Sequence, residues 1–249
     1  MKRSQATEKS EDCLAEISLE AGSFAGSLGF SLRRHYVDDF HLRHVLALPA
    51  GSHVLDLAGN RIGKRGVFDI ENYGLDVLYA NLSVAKRPDI QAYAECLPFR
   101  EGFFDAVICS EMIEHVMNPL QVLEEIQRVL KPNGVLLISV PFLNRIHGDP
   151  YDYGRYTDFF WAGTLERMGF SGIIIEKQGL FWSVIVDMFR DFLYVKASNF
   201  KSGILVSLLG AMVSVAKTAA VRWDYSEVVR RNPVLSGYTS GFGIKAIKI

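Results

Sequence analysis

Glycine, acidic and histidine residues recur in this chain where short apolar runs end, an arrangement suited to holding a small charged ligand. Asp56 lies in the run His53 to Leu57, which leads into the turn Ala58-Gly59-Asn60. Asp76 stands twenty positions after Asp56, near the end of a second run, Tyr73 to Leu78. An acid so placed can accept hydrogen bonds from two ribose hydroxyls of a nucleoside-bearing cofactor. Glu95 follows the run Ile90 to Tyr93, Glu111 follows Ala106 to Cys109, and His147 follows Val135 to Val140. In open parallel sheets, ligands collect at such positions because loops and helix N-termini there present free N–H groups.

His147 is the candidate general base. Asp149 and Asp152 are close enough in sequence to orient its ring. In the same segment Arg155, Tyr153 and Tyr156 could hold a sugar or phosphate through charge-assisted bonds and ring stacking, which makes Asp149, Tyr153, Arg155 and Tyr156 candidate acceptor contacts. Structural alternatives stay open for several of these. His147 could fix its own loop, the tyrosines could be packing, and Asp56 could shape the glycine turn rather than touch a ligand. Glu114 is read as a solvated or capping acid in a first helical turn and His115 as a helix-start residue packed under the pocket.

The elements that would position these residues alternate. Tyr36, Val37, Phe40, Leu42, Val45, Leu46 and Leu48 repeat at mostly helical spacing between Ser31 and Leu48, and Pro49 and Gly51 end that helix. Leu120, Val122, Leu123, Ile126, Val129 and Leu130 predict a second helix over Pro119 to Leu130, stopped by Pro132, Asn133 and Gly134. A short helix is expected at Leu165 to Met168, a sixth strand at Ile173 to Glu176 and a seventh at Gly241 to Ile249. Alternating strands and helices predict an α/β fold with a seven-stranded, mostly parallel sheet covered on both faces.

Composition narrows the function classes. With Lys+Arg 27 against Asp+Glu 28 and a net charge of −1, no global field favours nucleic acid. Cys13, Cys96 and Cys109 form no CxxC, so neither a disulfide framework nor a metal site is expected. The polar start MKRSQATEKSEDC lacks an apolar signal region, which points to the cytoplasm. Residues 1–30 are expected to be a flexible segment before one domain over 31–249, with a helical insertion at about 180–236. The apolar stretch Gly203 to Ala216 is shorter than the roughly 20 residues of a membrane span. Phe181, Trp182, Val184, Ile185, Met188, Phe189, Phe192 and Leu193 either complete a core or form a lid or shallow membrane contact, for which Lys196, Lys201, Lys217 and Arg222 would supply cations.

VLDLAGN, YGLDV, AECLPFREGFFDAVICSEMIEHV, VLEEIQRVLKPNGVLLISVPF and HGDPYDYGRYT occur in that order. Together they resemble the class I S-adenosylmethionine (SAM) dependent methyltransferases, most closely those found with bacterial surface-polysaccharide and lipid-glycan biosynthesis. The resemblance implies a Rossmann-like sheet whose last strand is antiparallel, SAM as cofactor, and O-methylation of a sugar or lipid-linked glycan. It puts Asp56, Ala58, Gly59 and Asn60 near the methionine part of SAM and gives Asp76 the ribose. Ala94 and Glu95 would lie beside the adenine, and Ser110 and Glu111 would line the pocket. Two departures stand out: the family usually has glycine where this chain has Ala58 and Asn60, and aspartate where it has Tyr93. They open the alternative of a catalytically degenerate methyltransferase-fold binding or scaffold protein. A nicotinamide oxidoreductase is disfavoured by the missing GxGxxG spacing.

Overall fold

The structure, a computed structural model, describes residues 31–64, 66–148, 151–197 and 203–249. The expected flexible segment 1–30, Asp149 and Lys201 lie outside the described residues. The described residues divide into two compact units, one within Phe40–Gln178 with Ser240–Ile249 and the other within 31–39 with Gly179–Thr239.

The first unit is built on β1 (His53–Leu57), β2 (Asp76–Ala80), β3 (Phe104–Ser110), β4 (Leu130–Pro141), β5 (Phe170–Gln178) and β6 (Gly241–Lys248). They form one six-stranded sheet in the order β2-β1-β3-β4-β6-β5. The β2, β1, β3 and β4 pairings are parallel, whereas β6 runs antiparallel to both β4 and β5. The antiparallel last strand agrees with expectation, whereas the described residues form six strands rather than the seven expected. Ile90 to Tyr93 contributes only the parallel bridge from Ala80 to Ile90. Gln91 and Tyr93 are exposed there, so the run has too little apolar surface to bury and the chain turns at Ala94 and Glu95.

Alternation along the strands supplies two apolar faces. Leu55, Leu57, Val107, Cys109, Leu136, Ile138 and Val140 pack in one cluster with Val122, Leu123, Ile126 and Val129 of the helix Pro119–Val129, and with Trp161 and Leu165 of the helix Asp158–Arg167. Val54, Tyr79, Ala106, Ile108 and Leu137 point the other way, onto Phe40, Val45 and Ile70. Phe40 and Val45 belong to α1 (Leu32–Val45); the other two helices are α2 and α3. Pro119 opens α2 behind the N-cap Asn118, whose side chain accepts from the Gln121 N–H.

The second unit is helical, with α4 (Phe181–Ala197), α5 (Gly203–Asp224) and α6 (Glu227–Arg231). Buried acids hold its helix starts. Asp187 accepts from the N–H groups of Leu32 and Arg33 at 2.8 and 3.0 Å, and Asp224 from Leu180, Trp182 and Ser183 at 2.8–3.0 Å. The α4 stripe divides: Val184 and Leu193 are buried, while Ile185, Met188, Phe189 and Phe192 are exposed. Lys217 is buried as well, so it cannot serve as the surface cation expected of it; desolvation pulls its amine down to about 8. No helix among the described residues is long and apolar enough to cross a membrane.

Candidate active site

The loops after β1, β2, β3 and β4 carry most of the anticipated residues, because parallel strands deliver all their carboxyl ends to one edge. After β1, Ala58 adopts a left-handed backbone with φ 65°, the conformation that glycine would take without strain. Its N–H donates to the Ala80 carbonyl at 2.7 Å, which ties the loop to the end of β2. A side chain at Gly59 would collide with Asp56: an ideal Cβ there stands 2.1 Å from both Cγ and Oδ2. The carboxyl group thus fills the hollow beneath the turn. That enclosure pushes it up to about 7, against the pull of the Lys64 ammonium.

Asp76 is not at this edge. It opens β2 rather than closing it and pairs in register with His53, the first residue of β1. Five extended residues put the two ends of such a strand roughly 13 Å apart. At the amino end its carboxylate meets His53 Nδ1 at 2.6 Å, with both side chains about half exposed. Asn81 follows the carboxyl end instead. Its amide donates to the carbonyls of Ala58 and Gly59 at 2.8 and 3.0 Å, and its Oδ1 accepts from the Ser83 N–H. Asp76, expected near the end of its strand, thus lies at the opposite end; the polar residue that immediately follows β2 is the neutral Asn81.

Ala94 packs against the main core, and Glu95 lies in the turn beside it, where its carbonyl accepts from Gln121 Nε2 at 3.1 Å. Arg128 and Glu125 clamp this segment: Arg128 donates to the carbonyls of Leu97 and Phe99, and Glu125 accepts from the Leu97 N–H at 2.7 Å. Tyr93 is exposed, and the loop around it offers no carboxylate in its place except Glu95.

Ser110 ends β3 with a buried hydroxyl that has no hydrogen-bond partner among the described residues. Glu111 follows with φ 51°, its N–H bonded to the Ser139 carbonyl at 2.8 Å. The chain then turns through Ile113–His115, a single 3-10 turn in which Glu114 is buried. Glu114 is therefore not the solvated acid expected. Its carbonyl accepts from the Tyr153 N–H at 2.7 Å, and its Oε1 lies 3.6 Å from His115 Nε2 and 4.0 Å from His147 Nε2. The two imidazoles meet edge to face, with centroids 5.1 Å apart.

His147 is held from its other side. Its N–H donates to Asp152 Oδ2 at 2.9 Å, while its Nδ1 lies 3.4 Å from the same oxygen and 3.2 Å from the Arg145 carbonyl. Arg155 grips Asp152 with two nitrogens, one at 2.6 Å from Oδ2, and that guanidinium holds the carboxyl down at about 2. Arg155 thus positions the His147 support. Tyr156 stacks on Phe160 at 4.5 Å and fills the space beside Gly154, so packing accounts for it. Tyr153 is exposed and tilts against Tyr151.

A sheet in this order, with one antiparallel strand, matches the Rossmann-like fold of methyltransferases. Residues 43–138 match the family model described as a methyltransferase domain. It is 32% identical over 126 residues to a ubiquinone/menaquinone biosynthesis C-methyltransferase, UbiE, of Francisella tularensis subsp. novicida, covering 41% of this chain and 50% of that protein. A ubiquinone biosynthesis O-methyltransferase of Xanthomonas campestris pv. campestris is 41% identical over 56 residues, 22% of this chain and 23% of that one. The chain spans about half the length of the first relative. Among solved structures, a SAM-dependent methyltransferase of Archaeoglobus fulgidus superposes with a TM-score of 0.53 at 16% identity, over 92% of this chain and 98% of the other.

Proposed function

We propose that the protein is a SAM-dependent methyltransferase that O-methylates a small hydroxylated acceptor, a sugar or lipid-linked glycan. The observation that carries this reading is the convergence of His147, His115 and buried Glu114 beyond the carboxyl ends of β3 and β4. The chain's residues fit the cofactor at the adjoining loops, where the Ser110 hydroxyl, buried and without a hydrogen-bond partner among the described residues, can bond a ligand. SAM supplies an electrophilic methyl group on a sulfonium that departs as a neutral thioether. Asp56, Ala58, Gly59 and Asn60 hold its methionine part, Asn81 takes the ribose in place of Asp76, and Ala94 and Glu95 flank the adenine.

Carbon and oxygen acceptors are both represented among the relatives' activities. A basic imidazole favours oxygen, because an uncharged hydroxyl must lose its proton as the O–CH3 bond forms. The Arg145 carbonyl and Asp152 Oδ2 beside His147 Nδ1 are acceptors, so Nδ1 carries the ring hydrogen and Nε2 offers its lone pair. That nitrogen takes the acceptor proton, and Asp152 and Arg155 keep the ring in place. Transfer of labelled methyl from SAM into a cell-envelope extract, followed by identification of the product, tests the reading. Label on a glycan oxygen supports it; label on carbon or nitrogen alone refutes the O-methyl assignment.

Ala58 with its positive φ, Asn60, Tyr93 and the neutral Asn81 favour a second reading, a degenerate methyltransferase-fold binding protein. It predicts that the unaltered protein binds SAM barely at all and that Ala58→Gly combined with Tyr93→Asp restores affinity. The exposed Ile185, Met188, Phe189 and Phe192 of α4 further suggest peripheral contact with a membrane that carries a lipid-linked acceptor. Co-sedimentation with anionic vesicles, lost in a Phe189→Ser/Phe192→Ser variant, checks that point.

A further inference from the structure

We infer that Glu114, His115 and His147 form a binding site for one divalent transition-metal ion of the zinc class. Each offers a ligand atom, and the three atoms lie within 4.8 Å of one another. The hydrogen-bond pattern is what selects a cation. His115 Nδ1 is 2.5 Å from the Tyr151 carbonyl, and His147 Nδ1 faces the Arg145 carbonyl and Asp152 Oδ2. Carbonyls and carboxylates only accept, so each ring hydrogen sits on Nδ1 and each Nε2 presents a lone pair. Both Nε2 atoms then face Glu114 Oε1, itself an acceptor, at 3.6 and 4.0 Å.

Neutral rings so arranged turn three metal-ligating atoms toward one point. A metal ion can satisfy all three, and the backbone bonds at Nδ1 are the supporting contacts that fix metal-binding histidines. Ligand lengths of about 2.0–2.2 Å correspond to tetrahedral edges of about 3.3–3.6 Å, so the two edges to Glu114, at 3.6 and 4.0 Å, close by up to some tenths of an ångström and the edge between the two histidines, within 4.8 Å, by up to about 1 Å. Two imidazoles and one carboxylate leave a coordination position open, the arrangement of a catalytic rather than a structural ion. Glu114 is buried, and the 3-10 turn that carries it also carries His115, so two of the ligands are set by one short backbone segment.

The role of the ion rests on the proposed methyl transfer, though its binding does not. With metal present, His147 becomes a ligand and the acceptor hydroxyl fills the open position. The cation's charge then lowers the pKa of that hydroxyl, and its proton leaves to water. The O–CH3 bond forms as the S–CH3 bond breaks, with the bonding pair passing to sulfur.

Tag-free protein stripped with EDTA is titrated with Co2+ and followed by visible absorption and calorimetry. One Co2+ per chain, with the intense d–d bands of four- or five-fold coordination and displacement by Zn2+, is the expected result. Supporting residues alone typically control metal affinity by roughly 10–100-fold, so loss of a ligand in His147→Ala or His115→Ala weakens Co2+ by at least about a hundredfold. Glu114→Gln does the same if it folds; the two histidine variants, both on partly exposed residues, keep the test independent of that. No stoichiometric binding, or binding that the histidine variants leave intact, overturns the site. SAM binding measured on the same stripped protein separates the two proposals: its absence refutes the methyltransferase reading and leaves the metal result standing.

Discussion

The carboxyl group of Asp56 occupies the space that a side chain on Gly59 would need, with the ideal Cβ 2.1 Å from its Cγ. The loop after β1 is therefore shaped from below by an acid as well as from within by its backbone. Gly59→Ala must displace that carboxyl from its enclosure. It is expected to cost about 1–3 kcal/mol, as overpacking does, and to weaken SAM at the same time. Urea unfolding and calorimetry read the two effects, and an unchanged midpoint would show that the loop yields freely.

Ala58 poses the opposite case. Its φ of 65° is strained for any residue with a Cβ, so Ala58→Gly is expected to stabilise by up to about 1 kcal/mol, the strain relieved less the added chain entropy. A fall in the denaturation midpoint would mean that the methyl group packs better than the backbone suffers.

Asp56 also sets a pH dependence. Unfolded, an aspartate loses its proton near pH 3.8; folded, this one keeps it to about 7. The folded state binds the extra proton between those values, so the contribution is full below about pH 4 and is lost as pH rises through 7. Asp56→Asn should flatten the stability profile across that window. If cationic SAM sits near this carboxyl, its affinity should rise from pH 5 to 8 in the parent protein and not in the variant; calorimetry in two buffers of different ionisation heat would also show a released proton.

Asp76 and Asn81 separate cleanly. Asp76→Ala should leave SAM affinity unchanged and, since its pair with His53 is about half exposed, cost no more than about 1 kcal/mol of stability. Asn81→Ala removes both bonds to the glycine-loop carbonyls and should weaken SAM at least about tenfold. The reverse ranking would return the ribose to Asp76.

Most of the architecture was legible because it depends on local periodicity. β1, α2 and β6 fall within a residue or so of the ranges their apolar patterns predict. The error at β2 was one of phase: Tyr73 belongs to the 3-10 turn Ile70–Tyr73, and the strand starts three residues later, which carries Asp76 to the opposite edge. Glu114 was misread for a different reason. A charged residue in a short turn looks solvated until His147 and Tyr153 come to lie against it, and those contacts link residues more than thirty positions apart. Asn81 went unnoticed because a neutral amide carries no signal of its own; Ser83 two residues on, whose N–H it accepts, was the available hint.

For the proton transfer, His147→Ala should reduce turnover by roughly a hundredfold or more while SAM affinity barely changes. Asp152→Asn, which loosens both the ring and Arg155, should show a smaller loss of the same kind. Equal turnover in parent and His147→Ala would remove His147 from the chemistry.

The methyltransferase reading depends on SAM binding, and calorimetry of the unaltered protein with SAM and with S-adenosylhomocysteine measures it directly. The account predicts one site per chain for both ligands, weakened by Gly59→Ala and Asn81→Ala and indifferent to Asp76→Ala. Absence of binding by either ligand at about millimolar concentration, where even a contribution of roughly 4 kcal/mol would register, would contradict it.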